Sequence, residues 1–379
     1  MFKKFNLVVV GAGLFGSVIA EQASRNGHKV AVIEMSNHIG GNCYTEFDRE
    51  TGINIHKYGP HIFHTSNKMV WDYIQQFSKF NNYIHKAKSC HNGHNYSFPI
   101  NLDTINSFYD KNFTPTEAEA WIRFLCKEHT KQDPANFEEQ AIALVGLDLY
   151  NTFIRGYTVK QWDTDPKLLP ASVARRLPVR FTYNDRYYND TWEAIPEDGY
   201  TPIFTRMLEH ENITVFLNTD WETVKDQVTD QLVVYTGPID RYYQYQFGRL
   251  AWRTLDFEYR VESVNDAQGC TQINYPDIDV PWTREIEHKH FHPERKTAPN
   301  KTIIGREFSR SATDTDTPYY PVNTEVDQTM FGQYRELAEQ EDRVVFGGRL
   351  GEYMYYDMHQ VIGSALACYK NKIKLILGS

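Results

Sequence analysis

Asn6-Leu-Val-Val-Val10 runs directly into Gly11-Ala-Gly-Leu-Phe-Gly16, and Lys29-Val-Ala-Val-Ile-Glu34 follows. The first run is short and continuously apolar, as expected of a strand buried on both faces. The glycines open an amphipathic helix over 14–25 that stops at Asn26-Gly27, and the second apolar run is the next parallel strand. An acidic residue about 20 positions beyond the turn completes the dinucleotide-binding pattern. Gly11 allows the tight turn, Gly13 lets backbone approach a pyrophosphate, and Gly16 lets helix and strand pack closely. The helix N-terminus then faces the phosphates, and Glu34 accepts from the ribose hydroxyls. All four parts stand in the required context, which a ligand-free glycine turn would not need.

Further glycine turns argue for FAD rather than NAD. Ile39-Gly40-Gly41-Asn42 lies just past the acidic residue, and Gly347-Gly348-Arg349 adds a third turn with a cation. No second Gly-x-Gly-x-x-Gly marks a separate NAD(P)H domain. Gln231-Leu-Val-Val-Tyr235 with Thr236-Gly-Pro238 reads as another buried strand and turn of the same domain. So does Val344–Leu350, followed by a helix from about 358 to 375.

Thr114-Pro-Thr-Glu117 is a helix start with a capping box, running to about 129. Asn136-Phe-Glu-Glu139 opens a second helix, expected to end at Gly156, and Pro170 opens a short third one before Pro178. Segments 179–183, 252–261, 271–275 and 285–291 are short, aromatic and alternating, as antiparallel strands are. The expected fold is α/β: an FAD-binding Rossmann-like domain with an inserted helical domain and an antiparallel β-sheet domain. The expected boundaries are 1–76, 196–245 and 320–379 for the discontinuous FAD domain. Residues 101–175 form the helical domain with a mobile lid, and 77–100, 176–195 and 246–319 form the sheet domain.

At 379 residues the chain exceeds what one core usually supports. A net charge of −9 argues against a nucleic-acid or acidic-membrane surface. Cys43, Cys90, Cys126, Cys270 and Cys368 are scattered and odd in number, which fits reduced thiols in a cytoplasm better than a disulfide scaffold or zinc site. No stretch reads as a signal peptide or membrane span. His288, His290 and His292 would share one face of a strand, but no carboxylate or thiol completes a metal site. The cluster of Cys90, His91 and His94 is set aside likewise, and no metal is expected.

Six segments in order go beyond a generic flavoprotein: Tyr58-Gly-Pro-His-Ile-Phe-His-Thr65, Gly156-Tyr-Thr-Val-Lys-Gln-Trp162, Arg176-Leu-Pro-Val-Arg-Phe181, Thr283-Arg-Glu-Ile-Glu-His-Lys-His-Phe291, Tyr319-Tyr-Pro-Val-Asn323 and Gly348–Met358. Together they resemble the bacterial UDP-galactopyranose mutases over essentially the whole chain. The resemblance implies an isomerase that interconverts UDP-galactopyranose and UDP-galactofuranose without net redox change. In that family reduced FAD attacks the anomeric carbon through its N5, and the resulting flavin–sugar adduct opens and recloses through another hydroxyl. It also implies a homodimer serving polysaccharide biosynthesis, with UDP-galactose as its partner molecule.

Two anionic phosphates must be held as UDP departs, and guanidinium suits this through its forked, permanent charge. Arg176 and Arg284 match the family's diphosphate arginines, whereas Arg175 and Arg186 of the same basic patch read as solvated. Tyr187, Tyr355 and one of Tyr319 and Tyr320 match phosphate-binding tyrosines, spacing alone leaving that choice open. Phe153 and Tyr157 match the uracil sandwich, Thr158 joins them on the substrate side, and Trp162 matches a lid tryptophan. Core packing is the alternative for these aromatics. Phe15, Asn42, Tyr58, Gly348, Arg349, Asp357 and Met358 match positions around the flavin, Asp357 also facing substrate. Two departures stand out: Ile154 where relatives carry an aromatic, and His359 where an acid is expected. His61 and His64 fall in the loop approaching the flavin ring, where a movable charge could tune it or a hydrogen bond could simply shape the loop. A flavin amine oxidase or dehydrogenase shares the Rossmann start but has no need of paired diphosphate arginines. A non-catalytic FAD scaffold has no need of a phosphate pocket.

Overall fold

Leu7–Val10, Val30–Ile33 and Leu232–Tyr235 bury every side chain, because each strand has a neighbour on both edges and helices on its faces. In this computed structural model, which describes residues 2–174 and 177–378 with Ser172 by its backbone alone, they form the middle of a five-stranded parallel sheet. Its order is Val344–Phe346, Leu232–Tyr235, Leu7–Val10, Val30–Ile33, Ile213–Phe216. Val8 stands between Val233 and Ala31 in register. The chain leaves Leu7–Val10 toward one side and returns on the other, so a topological switch lies between that strand and Leu232–Tyr235. Ligands of such sheets bind at the carboxyl ends of the strands beside a switch.

The helix Leu14–Arg25 packs on this sheet beside Thr201–Leu208 and Met358–Cys368, and a core of Val18, Ile19, Phe204, Met207 and Ile362 closes the layer. A second sheet of seven strands runs Tyr320–Pro321, Trp252–Glu262, Thr302–Ser311, Arg284–Glu287, Gln272–Asn274, Ala87–His91, His94–Phe98. It is antiparallel except for Gln272–Asn274 against Ala87–His91, so the expected antiparallel sheet is in fact mixed. The hairpin Ala87–His91/His94–Phe98 was not expected. Its turn, Asn92-Gly93, has both residues at positive φ, the geometry that Asn-Gly favours between strands.

The helical part begins with Leu102–Tyr109 and Pro115–Cys126; in the latter the Thr114–Glu117 capping box forms as expected. The helix from Asn136 departs from expectation. It ends at Gly146 (φ 82°), and the chain then winds through Leu147–Leu149 and a π-helical Tyr150–Arg155 into Gly156–Trp162. Gly156 therefore continues a helix, because its role is clearance: a Cβ there would lie 2.1 Å from the Pro276 carbonyl oxygen. Two expected strands also differ. Residues 179–183 form no strand, and after Arg284–Glu287 the chain turns into the 3-10 helix His288–Phe291, so the three histidines do not share a strand face. Among the described residues no helix is long and apolar enough to cross a membrane.

Candidate functional site

Three glycine turns meet at the switch. Gly40 N–H donates to the Ala12 carbonyl (2.9 Å), and a Cβ on Gly41 would lie 3.2 Å from Gly13 Cα. Gly347 N–H donates to Tyr235 O (3.1 Å), and a Cβ on Gly347 would strike the Phe15 ring at 2.2 Å. Phe15 is thus a buried spacer between the first and third turns. The first turn itself separates two kinds of glycine. Gly11 (φ 106°) and Gly16 are required by the protein, since Cβ atoms there would meet Thr236 Oγ1 at 2.1 Å and Gly11 O at 2.0 Å. Gly13 has an ordinary backbone (φ −75°) and nothing within 4 Å of its Cβ position. Nothing among the described residues requires glycine there, and the open space fits a pyrophosphate. Glu34 accepts from Ala12 N–H and Ser36 N–H, both at 2.8 Å, so its carboxylate is already oriented by the first turn. Tyr58 is tied to His38 Nε2 (2.7 Å).

The second group centres on Arg284, on the strand Arg284–Glu287. Its Nε donates to Glu307 Oε2 at 2.5 Å, and both side chains are largely buried, 19% and 2% exposed. Burial opposes a charge on Arg284, but the Glu307 carboxylate outweighs it and raises the guanidinium's pKa. Tyr157, Tyr187 and Tyr320 all lie close enough for that charge to act on their phenols. Burial raises the pKa of each phenol, so they remain neutral donors. Tyr355 stacks obliquely on Tyr320 at 5.8 Å, and Arg349 acts on Tyr320, Tyr355 and His61 alike. One arginine with a ring of neutral hydroxyls can hold an anion.

Strand alternation turns the two tyrosines of the open pair to different neighbours. Tyr320 faces Arg284, whereas its neighbour Tyr319 is 4% exposed and turns to Phe257. Phe153 belongs to the helical core, 3% exposed with its ring against Tyr96 and Phe108, together with Ile154. Thr158 is buried beside Tyr157, and Trp162 packs partly on the same core. Arg175 and Arg176 lie outside the described residues. Arg186 corrects an expectation: it is no solvated charge, but pairs at 3.1 Å with Glu193, whose side chain is fully buried. Glu193 in turn accepts from His85 N–H, and Tyr187 N–H donates to His85 O.

Burial lowers the pKa of His61 to about 4, helped by Arg349 and Arg284. Its Nδ1–H donates to Gly59 O (2.9 Å), which leaves Nε2 a bare acceptor. The expected movable charge is therefore absent at neutral pH, and a hydrogen-bonding role remains. His64 donates through Nδ1 to Asp190 (2.7 Å) and stacks on Tyr188 at 3.7 Å. His359 stands edge-on to His64 at 4.9 Å, and Asp357 sits at the start of the helix Met358–Cys368. Sequence reading missed Glu307. A lone acid within the alternating run Thr302–Ser311, on the strand paired with Arg284, was the available signal.

The comparisons with known proteins follow this geometry. A family model described as UDP-galactopyranose mutase matches residues 152–355, and one described as NAD(P)-binding Rossmann-like domain matches 9–77. A dTDP-fucopyranose mutase of Escherichia coli is 43% identical over 97% of this chain and 98% of its own length. A probable UDP-galactopyranose mutase of Klebsiella pneumoniae is 42% identical over 95% and 93%. The crystal structure of a reduced UDP-galactopyranose mutase shares the fold, with a TM-score of 0.74 at 14% identity over 98% of this chain and 94% of that one. The matched region spans Tyr157, Tyr187, Arg284, Glu307 and Tyr320, and the likeness extends over nearly the full length. The chain belongs to the UDP-galactopyranose mutase family.

Proposed function

We propose that the protein interconverts UDP-galactopyranose and UDP-galactofuranose, with FAD as its cofactor. The observation that carries this reading is Arg284: a buried guanidinium held charged by Glu307 and ringed by Tyr157, Tyr187 and Tyr320. Breaking the bond between the anomeric carbon and the diphosphate places charge on the leaving oxygen. Donors fixed in advance in a water-poor site stabilise that charge most where it develops. Arg176 is proposed to grip the same diphosphate. Gly11, Gly13 and Gly41 would take the FAD pyrophosphate, Glu34 its ribose, and Gly348 and Arg349 the flavin side. Bound and reduced, FAD supplies an electron-rich nitrogen for the anomeric carbon, so that the sugar rearranges without net oxidation. His61 Nε2 would accept a hydrogen bond from that side. The three-part division of the chain, a homodimer and a cytoplasmic setting belong to the same proposal.

A second substrate is favoured by the dTDP-fucopyranose mutase, which is as similar as the UDP-galactopyranose mutase. The two substrates share the diphosphate and differ in a base methyl, a ribose hydroxyl and the sugar's C6 hydroxyl, so the Arg284 group serves either. The test is to incubate dithionite-reduced protein with UDP-galactofuranose and, separately, with dTDP-fucofuranose. Formation of UDP-galactopyranose is expected. Conversion of the dTDP sugar alone would reassign the substrate, and net sugar oxidation in place of isomerisation would overturn the mutase reading.

A further inference from the structure

The helix Gly156–Trp162 gives Tyr157 to the anion site, but a charge on the same helix takes no part in that site. Lys160 Nζ donates to four backbone carbonyls: Tyr275 (2.5 Å), Asp277 (2.9 Å), Val280 (2.8 Å) and Trp282 (2.9 Å). All four belong to the single loop that joins Gln272–Asn274 to Arg284–Glu287. An ammonium has three protons, so all of its donor capacity is spent on this loop. The Asp277 carboxylate makes no direct ion pair with it, being held by His91 Nδ1 (2.5 Å) and Asn92 N–H (3.1 Å), and with Asp279 it acts on the ammonium only at longer range. The same loop presses on the same helix at Gly156, where the Pro276 carbonyl oxygen leaves no room for a Cβ. Arg253, 1% exposed, fixes the far end of the helix through the carbonyls of Gln161 (2.9 Å) and Lys160 (3.4 Å).

We propose that Lys160 is a positioning residue for substrate: its ammonium gathers the 275–282 loop and so sets Arg284, two residues past Trp282, against Tyr157 on the helix. This rests on the reading that Arg284 and Tyr157 grip a nucleoside diphosphate. Without the cation, four carbonyl dipoles converge on one point with no donor among them, and the loop opens to hydrate them. Opening moves the Arg284 strand away from Tyr157 while leaving the dinucleotide cradle untouched, because no residue of that cradle belongs to the loop or the helix.

The FAD-loaded protein tests this through UDP affinity and steady-state constants in Lys160→Met and Lys160→Gln. Met fills the space with no donor, and Gln can satisfy two carbonyls. In Lys160→Met, UDP Kd and substrate KM are expected to rise about tenfold or more. Over the same comparison kcat falls too, by less than the about hundredfold expected on losing Arg284 outright, and FAD content is unchanged. Lys160→Gln should fall between, and butylammonium should lower the KM of Lys160→Ala by returning a cation to the cage. A UDP Kd and a KM both within about twofold of the parent in both variants would overturn the proposal. If Lys160→Met does not fold, Lys160→Gln decides by the same criterion. Failure of the parent to bind either UDP or dTDP would remove the mutase reading and this inference together. Tight binding by the parent with unaltered variants removes this inference alone.

Discussion

Arg284 owes its charge to Glu307, and the pair's near-complete burial makes each residue hard to replace. Loss of Arg284 leaves an uncompensated carboxylate and removes the donor proposed to meet the departing diphosphate. Arg284→Ala is expected to lower turnover about a hundredfold, on the order of 3 kcal/mol of transition-state stabilisation, with FAD retained. Arg284→Lys should recover only part, since a point charge cannot serve Glu307 and phosphate through a fork. Steady-state rates with parallel flavin absorbance would check both. Arg186 would ordinarily serve as a neutral control, but the structure forbids it. Arg186→Ala strands the buried Glu193 and should cost about 1–3 kcal/mol of stability, read as a lowered urea midpoint. Arg123, 77% exposed and paired with Glu119 alone among the described residues, is the suitable control and should be silent in both assays.

Glycine turns and helix ends show why some elements are legible in a sequence and others are not. Gly11, Gly13, Gly16 and Glu34 work through local geometry, so their spacing carries the meaning, and the strand, turn and helix form where expected. Thr114 and Glu117 satisfy each other within one turn and are equally legible. Gly156 is different. Its clearance is for Pro276, distant in sequence, so a local reading takes it for a helix stop. Asn92-Gly93 carries a turn signal of the same local kind, so the hairpin around it was within reach of the sequence. The contrast between Gly13 and Gly16 gives a prediction for the turn itself. Gly13→Val meets open space at a φ that valine adopts freely, so the protein should fold with near-parental melting yet purify without FAD. Gly16→Val meets Gly11 O at 2.0 Å, so it should disturb the turn and lower the melting temperature even of protein stripped of cofactor. Stoichiometric FAD in a folded Gly13→Val protein would show that the pyrophosphate lies elsewhere.

At the scale of the whole molecule, the site exists only because two sheets and a helical layer meet. Tyr157, Tyr187, Arg284, Tyr320 and Arg349 are far apart in sequence, and no periodicity links them. They were named from motif resemblance rather than from pattern; Glu307 and Arg253, outside the quoted motifs, were missed, and Lys160, inside one of them, was given no role. Buried histidines tie the sheets together in the same non-local way. His61 N–H donates to His56 Nδ1 (3.1 Å), and His56 N–H donates to His288 Nδ1 (3.3 Å), so the loop carrying His61 hangs from two imidazole acceptors. His56, His85 and His288 are at most 2% exposed, and burial first, then nearby positive groups, lowers all three pKa values, those of His85 and His288 to about 3. Their folded pKa lies below the unfolded value of about 6.5, so below that pH the unfolded chain binds more protons and stability falls with acidification. Each histidine contributes a slope of up to about 1.4 kcal/mol per pH unit between about 6.5 and its folded pKa. Protonating Nδ1 of His56 or His288 also ejects the backbone N–H that it accepts, which frees the His61 loop. Unfolding free energy from urea titrations near pH 7, 6 and 5 should therefore drop steeply below about 6.5. Flavin fluorescence should rise over the same interval as the loop releases the cofactor. A stability flat across that range, with flavin retained, would mean these histidines are already charged in the folded protein.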